Sequence, residues 1–173
     1  ITNSALIQAD EGRETTTALG FNLDYHFPVR PEGVMRDAHF LFDAEIGTST
    51  SDNDFLSLTT SGQTEHAFNN GNIVLRSHIL LGFLGSQLGN TNIGNRKMLG
   101  QSSIRGFEFG GFGPRDLAVE NTPALGGNYH GIINFDMQFP NAFGGQSERF
   151  IPGLLVDMGS LWGLDNINGG ADG

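Results

Sequence analysis

The sequence predicts an all-β protein built as an antiparallel meander, and three observations predict it. Apolar residues recur with period 2 rather than 3.6 along six segments. The segments are joined alternately by short Pro/Gly/Asn turns ("PVRPEG", "NNGN", "PNAFGG") and by longer polar stretches ("ADEGRETT", "GTSTSDND" and an excursion over residues 85–127). No stretch carries a defensible helical period, and no internal repeat is visible.

Taken in order, "SALIQA" at residues 4–9 reads as the end of a strand. Over residues 17–27, Leu19, Phe21, Leu23, Tyr25 and Phe27 alternate with Gly20, Asn22, Asp24 and His26. Over residues 37–46, Phe40, Phe42, Ala44 and Ile46 share one face, and His39, Asp43 and Glu45 the other. Residues 55–68 are Thr/Ser-rich but still strand-like. Residues 72–84 put Ile73, Leu75, Ile79, Leu81 and Phe83 opposite Arg76 and His78. Residues 131–139 alternate most cleanly, with Ile133, Phe135, Met137 and Phe139 against Asn134, Asp136 and Gln138. Residues 150–162 place Leu154, Val156, Met158 and Trp162 opposite Asp157. About seven strands result, all in one domain spanning residues 1–173. The connection over 85–127 is far longer than the handful of residues usual in a compact domain, so a function is expected of it.

Composition removes several classes of function. A formal net charge of −10 with nine Lys+Arg leaves no basic patch for nucleic acid. Cysteine is absent, so no disulfide framework exists. No apolar run approaches the about 20 residues of a transmembrane helix, and no signal-peptide pattern opens the chain. Its start and finish, "ITNSALIQAD" and "NINGGADG", read as those of a piece of a longer polypeptide.

Alternating strands admit two readings. In a soluble sandwich the apolar face points into a core; in a transmembrane barrel it points to lipid and the polar face lines a wet lumen. Four observations favour the barrel. The segments are about 9–13 residues long, matching a tilted bilayer-crossing strand. Aromatics (Tyr25, Phe27, Phe68, Phe139, Phe150, Trp162) gather near strand ends, as in an interfacial girdle. Connections are short on one side and long on the other. The polar face carries Asp and His in mid-strand, which suits a hydrated interior.

The long connection contains "SSIRGFEFGGFGPRD" (residues 102–116), with Ile104, Arg105, Gly106 and Phe107 as a hydrophobic-R-G-F motif followed by Gly110, Gly111, Gly113, Pro114, Arg115 and Asp116. It resembles the hallmark lumenal loop of the BamA superfamily of outer-membrane barrels. "NRKMLGQS" before it, "ALGGNYHGIINFDMQFP" after it and "FIPGLLVDMGSLWG" further on resemble the family's flanking segments, in the same order. The extended form with "GPRD" resembles the BamA family more than its relatives, the TamA family and the two-partner-secretion transporters. Residues 1–94 fit only as generic barrel strands.

That resemblance implies part of a sixteen-stranded barrel in the Gram-negative outer membrane, preceded by POTRA domains. Neither those domains nor the terminal strands are present among these residues. It implies a non-enzymatic factor that folds and inserts other outer-membrane proteins. Its partners would be unfolded outer-membrane clients, accessory assembly lipoproteins and outer-membrane lipids. Clients would pair with a weakly closed seam by β-augmentation, helped by local thinning of the bilayer. The resemblance further implies that the loop folds into the lumen with Arg105 as donor to Asp136 and Asp157. The residues agree, since both acids lie on polar strand faces and a guanidinium can fork to carboxylates. The loop glycines permit tight turning, and Phe107, Phe109 and Phe112 are expected to anchor the loop. Alternatives are a transporter of the same superfamily or, further off, a passive channel or enzymatic barrel.

Other chemistries find no support. "GGFG" lacks the strand–GxGxxG–helix context of a nucleotide site, and no G-x-S-x-G elbow exists. His26, His39, His66, His78 and His130 show no H-x-x-x-H spacing, so no zinc site and no cofactor is expected. "DNDF" and "DNINGGADG" faintly resemble calcium loops but read better as acidic surface.

Overall fold

The computed structural model describes residues 4–8, 15–30, 33–50, 54–86, 91–143 and 150–165. Its elements in chain order are a one-turn helix α1 (Ala5–Gln8) and strands β1 (Thr16–His26), β2 (Met35–Ser49), β3 (Asp54–Phe68), β4 (Ile73–Gly85), β5 (Tyr129–Gln138) and β6 (Gly153–Trp162). Every strand pairs antiparallel with its sequence neighbour, giving one open six-stranded sheet in the order β1 to β6.

Two expectations need correction. The segment expected to end a seventh strand is α1, and Ala9 lies outside the described residues. The reason is local: the Ser4 carbonyl accepts from Gln8 N–H at 3.0 Å and its hydroxyl from Ile7 N–H at 3.4 Å, the arrangement of a helix-capping serine. The alternation of short and long connections also fails. Half of "GTSTSDND" is strand, leaving only residues 50–53 between β2 and β3, whereas residues 139–152 link β5 to β6. Only the β4–β5 connection, residues 86–128, stands out by length.

The registers sort side chains into continuous rows. On one face Tyr25 pairs with Phe40, Phe40 with Gly62, Gly62 with Ile79, Ile79 with Ile133 and Ile133 with Met158. Another row on that face ends in Phe83, Tyr129 and Trp162, with Tyr129 stacked on Trp162 at 5.8 Å. The opposite face carries a polar row: His26, His39, Gln63, His78, Asn134 and Asp157.

Burial separates the two readings of this alternation. Nothing among the described residues covers the apolar face, where Leu19 is 76% and Leu154 64% exposed. The covered face is the polar one, and what covers it is the β4–β5 loop. Its core is Leu99 and Ile104 from the loop against Ile132 and Leu161 from the strands, with Leu80 and Phe112 packed alongside. A sandwich requires the reverse, with the apolar face inside. A barrel wall has a lipid-facing apolar band and a lumen occupied by a loop, as here.

Candidate functional site

The strand ends explain how the loop reaches the inner face. It leaves β4 and enters β5 at one end of the sheet, pinned there by the Leu84 N–H to Asn128 carbonyl bond and a Lys97–Gly127 bridge. From that end the chain descends over the polar face until Ser103 accepts a 3.0 Å hydrogen bond from Asn134 Nδ2. Asn134 lies five residues into β5, so the tip penetrates about 17 Å at 3.4 Å per residue. Space for it comes from a missing side chain. A Cβ on Gly159 of β6 would lie 2.3 Å from Ile104 Cδ1, so glycine there is what lets Ile104 seat against the wall.

Arg105 follows Ile104 and meets Asp157. Its Nη2 donates to Asp157 Oδ1 at 2.5 Å, its Nε to Oδ2 at 2.7 Å and its backbone N–H to Oδ2 at 3.0 Å. This is a bidentate fork with a main-chain bond added. Asn134 Nδ2 donates to Asp157 Oδ1 at 3.0 Å as well, so one carboxylate joins the loop to both β5 and β6. The hydrogen bonds to Asp157 hold the Arg105 pKa above its ordinary value, against partial desolvation and helped by the charges of Asp157 and Asp136.

The two acids on the wall are not equivalent. Asp136 Oδ2 stands 3.9 Å from Arg105 Nη1, an ion pair without a hydrogen bond. Asp136 Oδ1 is buried and has no hydrogen-bond partner among the described residues. Register explains the difference: Asp157 is opposite Asn134, while Asp136 is opposite Leu155, one row nearer the β5–β6 turn. Between loop and wall remains a polar cavity of about 410 Å³, edged by Glu65, Arg76, His78, Arg105, Asp136 and Asp157. Within it Arg76 Nε donates to Glu65 at 2.7 Å.

The rest of the motif shapes the loop. Gly106, Gly110 and Gly113 have positive φ, at 92°, 65° and 101°, whereas Gly111 does not. Pro114 is buried, and its carbonyl accepts from Leu125 N–H. Arg115 faces inward to the loop, donating to the Thr122 carbonyl at 2.9 Å and the Gly110 carbonyl at 2.6 Å. Asp116, 2% exposed, accepts from Ala118 N–H at 2.9 Å and from Ser4 Oγ at 2.5 Å, so the α1 segment docks on the loop. Of the three phenylalanines expected to anchor the loop, only Phe112 packs on its core. Phe107 sits edge-on to Phe112 but stays half-exposed, and Phe109 is 77% exposed.

At its base the loop is tied to the segment after β6. Asp165 accepts from Thr91 N–H at 2.7 Å, from the Thr91 hydroxyl and from Asn128 Nδ2 at 2.8 Å, and Arg96 Nη2 donates to the Thr91 carbonyl at 2.8 Å. Burial opposes ionisation of Asp165, but these hydrogen bonds and the Arg96 charge outweigh it and lower its pKa. A depressed carboxylate pKa stabilises the folded form above the ordinary value of about 3.9, and that stabilisation is lost as pH falls through the lower folded value. Protection of the amides over residues 91–97, corrected for intrinsic exchange, is therefore expected to fall below about pH 4. In Asp165→Asn this acid step should vanish; an unchanged step would show that another group controls the base.

Sequence reasoning missed several participants. Ile132 and Leu161, 1% and 5% exposed, are apolar residues on the polar face. Their signal was present as two adjacent apolar residues, Ile132–Ile133 and Leu161–Trp162, where strict alternation allows one. Asn134, bridging Ser103 and Asp157, had no distinguishing signal. The histidines separate: His66 stacks on Phe68 on the apolar side, His130 is buried, and His78 Nδ1 lies 3.0 Å from Asn134 Oδ1. His26 and His39 come together with Asp24. "DNDF" and "DNINGGADG" lie largely outside the described residues; Asp54 accepts from Ser86 Oγ, and Asp165 is engaged as above.

Residues 31–173 match the family profile described as the Omp85 superfamily domain. A search of curated proteins returned no match.

Proposed function

The chain belongs to the Omp85 superfamily of outer-membrane insertion and transport barrels, and from that premise we propose that it is part of a BamA-type assembly factor, which folds and inserts other β-barrel proteins into the outer membrane. The observation that carries this reading is the motif loop seated in the lumen, with Arg105 forked onto Asp157. A loop so placed obstructs the lumen, which fits a machine that works at its wall better than an open pore. No chemistry is asked of the barrel. Its work would be to present strand edges to incoming clients. Accessory assembly lipoproteins and the surrounding lipids would be its partners.

Depletion of the full-length protein in its own host is the test. Folded outer-membrane proteins of many kinds should fall together, assayed by heat-modifiable migration, and re-expression should restore them. If assembly stays intact while secretion of a single exported partner is lost, the protein is a two-partner-secretion transporter instead.

The orientation of the wall makes a separate prediction. Leu81 lies on the bare apolar face and Thr59 on the loop-covered one. Leu81→Arg should destabilise the membrane-embedded barrel by about 2–4 kcal/mol, the usual cost of an arginine on a lipid-facing strand near the midplane. Thr59→Arg should cost far less, measured by urea unfolding in lipid. Equal costs would remove the assignment of lipid to the apolar face.

A further inference from the structure

The lumenal face of the β1–β2 hairpin gathers three side chains that the loop contacts do not use. Asp24 and His26 are two residues apart on β1 and so share a face, and His39 of β2 is the direct register partner of His26. One ligand atom from each lies within 4.8 Å of the others. His39 Nε2 is 2.6 Å from Asp24 Oδ1, and His26 Nε2 is 3.6 Å from the same oxygen. The two imidazoles lie face to face, 3.9 Å apart and 8° from parallel. On its far side His39 Nδ1 is 3.4 Å from the Gln63 side-chain amide. Amide oxygen and nitrogen interchange by a half-turn, so Gln63 can accept the Nδ1 proton and leave the Nε2 lone pair facing Asp24.

We propose that Asp24, His26 and His39 form a three-ligand site for a divalent transition-metal ion, with zinc as the fitting occupant. Two imidazoles and one carboxylate are a borderline donor set that suits zinc, whereas calcium and magnesium require oxygen shells. A tetrahedral ion about 2.1 Å from each ligand atom spaces those atoms about 3.4 Å apart, between the two separations present. The adjustment falls on His26, whose side chain is 66% exposed and turns freely to bring its lone pair into line. Water fills the remaining coordination position from the lumen. The surrounding charge favours a cation. Asp43 of β2, held by Asn22 Nδ2 at 2.5 Å, lies one row to one side, and Asp37 lies one row to the other. On the same face, Arg76 of β4 is paired with Glu65. The site escaped the sequence because its ligands come from two strands, where no fixed spacing along the chain marks them.

The test uses the full-length protein in detergent, stripped with a chelator and titrated with zinc sulfate by calorimetry. One equivalent should bind, and His39→Ala and Asp24→Asn should each weaken binding by at least the about 10–100-fold typical of outer-shell losses. Gln63→Ala should weaken it about tenfold, and His66→Ala, on the other face, should leave it unchanged. A second readout needs no variant. Diethylpyrocarbonate modification of the wild-type protein, mapped by mass spectrometry, should spare His26 and His39 when zinc is present and not His66. Equal affinity in wild type and His39→Ala, or no protection of His26 and His39 at saturating zinc, overturns the site.

Discussion

Arg105→Ala in the full-length protein should release the lumenal loop and cripple assembly, and Asp157→Ala should do the same. Both partners are needed because the loop is fixed at its deepest point by one carboxylate receiving two guanidinium bonds and one main-chain bond. The size follows from exposure. Asp157 keeps only 9% of its side chain exposed, but Arg105 keeps 44%, so solvent screens the pair from one side. A double-mutant cycle should therefore return about 1–2 kcal/mol of coupling, above a surface pair and below the 3–5 kcal/mol lost on breaking a fully buried one. That corresponds to about a tenfold change in the docked-to-released ratio. Arg105→Lys should not restore it, since an ammonium cannot occupy both carboxylate oxygens in plane. Asp136→Asn should cost a few tenths of a kcal/mol at most, because its contact is a 3.9 Å ion pair without a hydrogen bond. Protease accessibility of the loop and the level of heat-modifiable clients are the readouts. Full growth and unchanged migration in Arg105→Ala would mean that the fork is ornamental.

How far this was legible depends on which interactions are local. Strand identity was readable because each strand separates two media, so Leu23 and Asp24, or Phe135 and Asp136, must face opposite ways. Helix α1 was not, because four residues carry no period and the decision rests on Ser4 capping its own turn. The loop motif could be read as a motif, and with it the residue types around Arg105. The asymmetry between Asp157 and Asp136 could not, because it is set by one step of cross-strand register. The apolar seat of the loop was half-visible. Ile132 and Leu161 break the alternation, yet a single out-of-phase apolar residue has no meaning until something is seen to cover it. The Asp24, His26 and His39 group is the extreme case, since two strands must pair before its spacing exists.

Gly113→Ala should be a strongly damaging small substitution in the loop, and its cost should divide into two separable parts. At φ 101° an alanine is strained in any surroundings, by about 1–3 kcal/mol. Its Cβ would also lie 2.6 Å from Leu161 Cδ2, 3.0 Å from Cγ and 3.1 Å from Cβ, inside contact distance along the length of that side chain. Leu161 has nowhere to retreat. A Cβ on Gly127 would stand 2.8 Å from Leu161 Cδ1, so the leucine is already clamped between two glycine backbones, with Ile104 and Ile132 in the same cluster. Overpacking of this kind adds about 1–3 kcal/mol. Leu161→Ala alone should cost about 2–5 kcal/mol through lost contact and the cavity left behind. Combined with Gly113→Ala it should cost less than the sum, because removing the leucine removes the clash but not the strained φ. Urea unfolding of the barrel in lipid, read together with loop proteolysis, measures all three. Strict additivity would show that Gly113 matters for backbone conformation alone. A double variant less damaged than Leu161→Ala itself would show that the alanine methyl refills the seat the leucine left. The expected result lies between these limits, and it identifies the glycine-lined seat of Leu161 as the second fixed point of the loop, independent of the Arg105 fork.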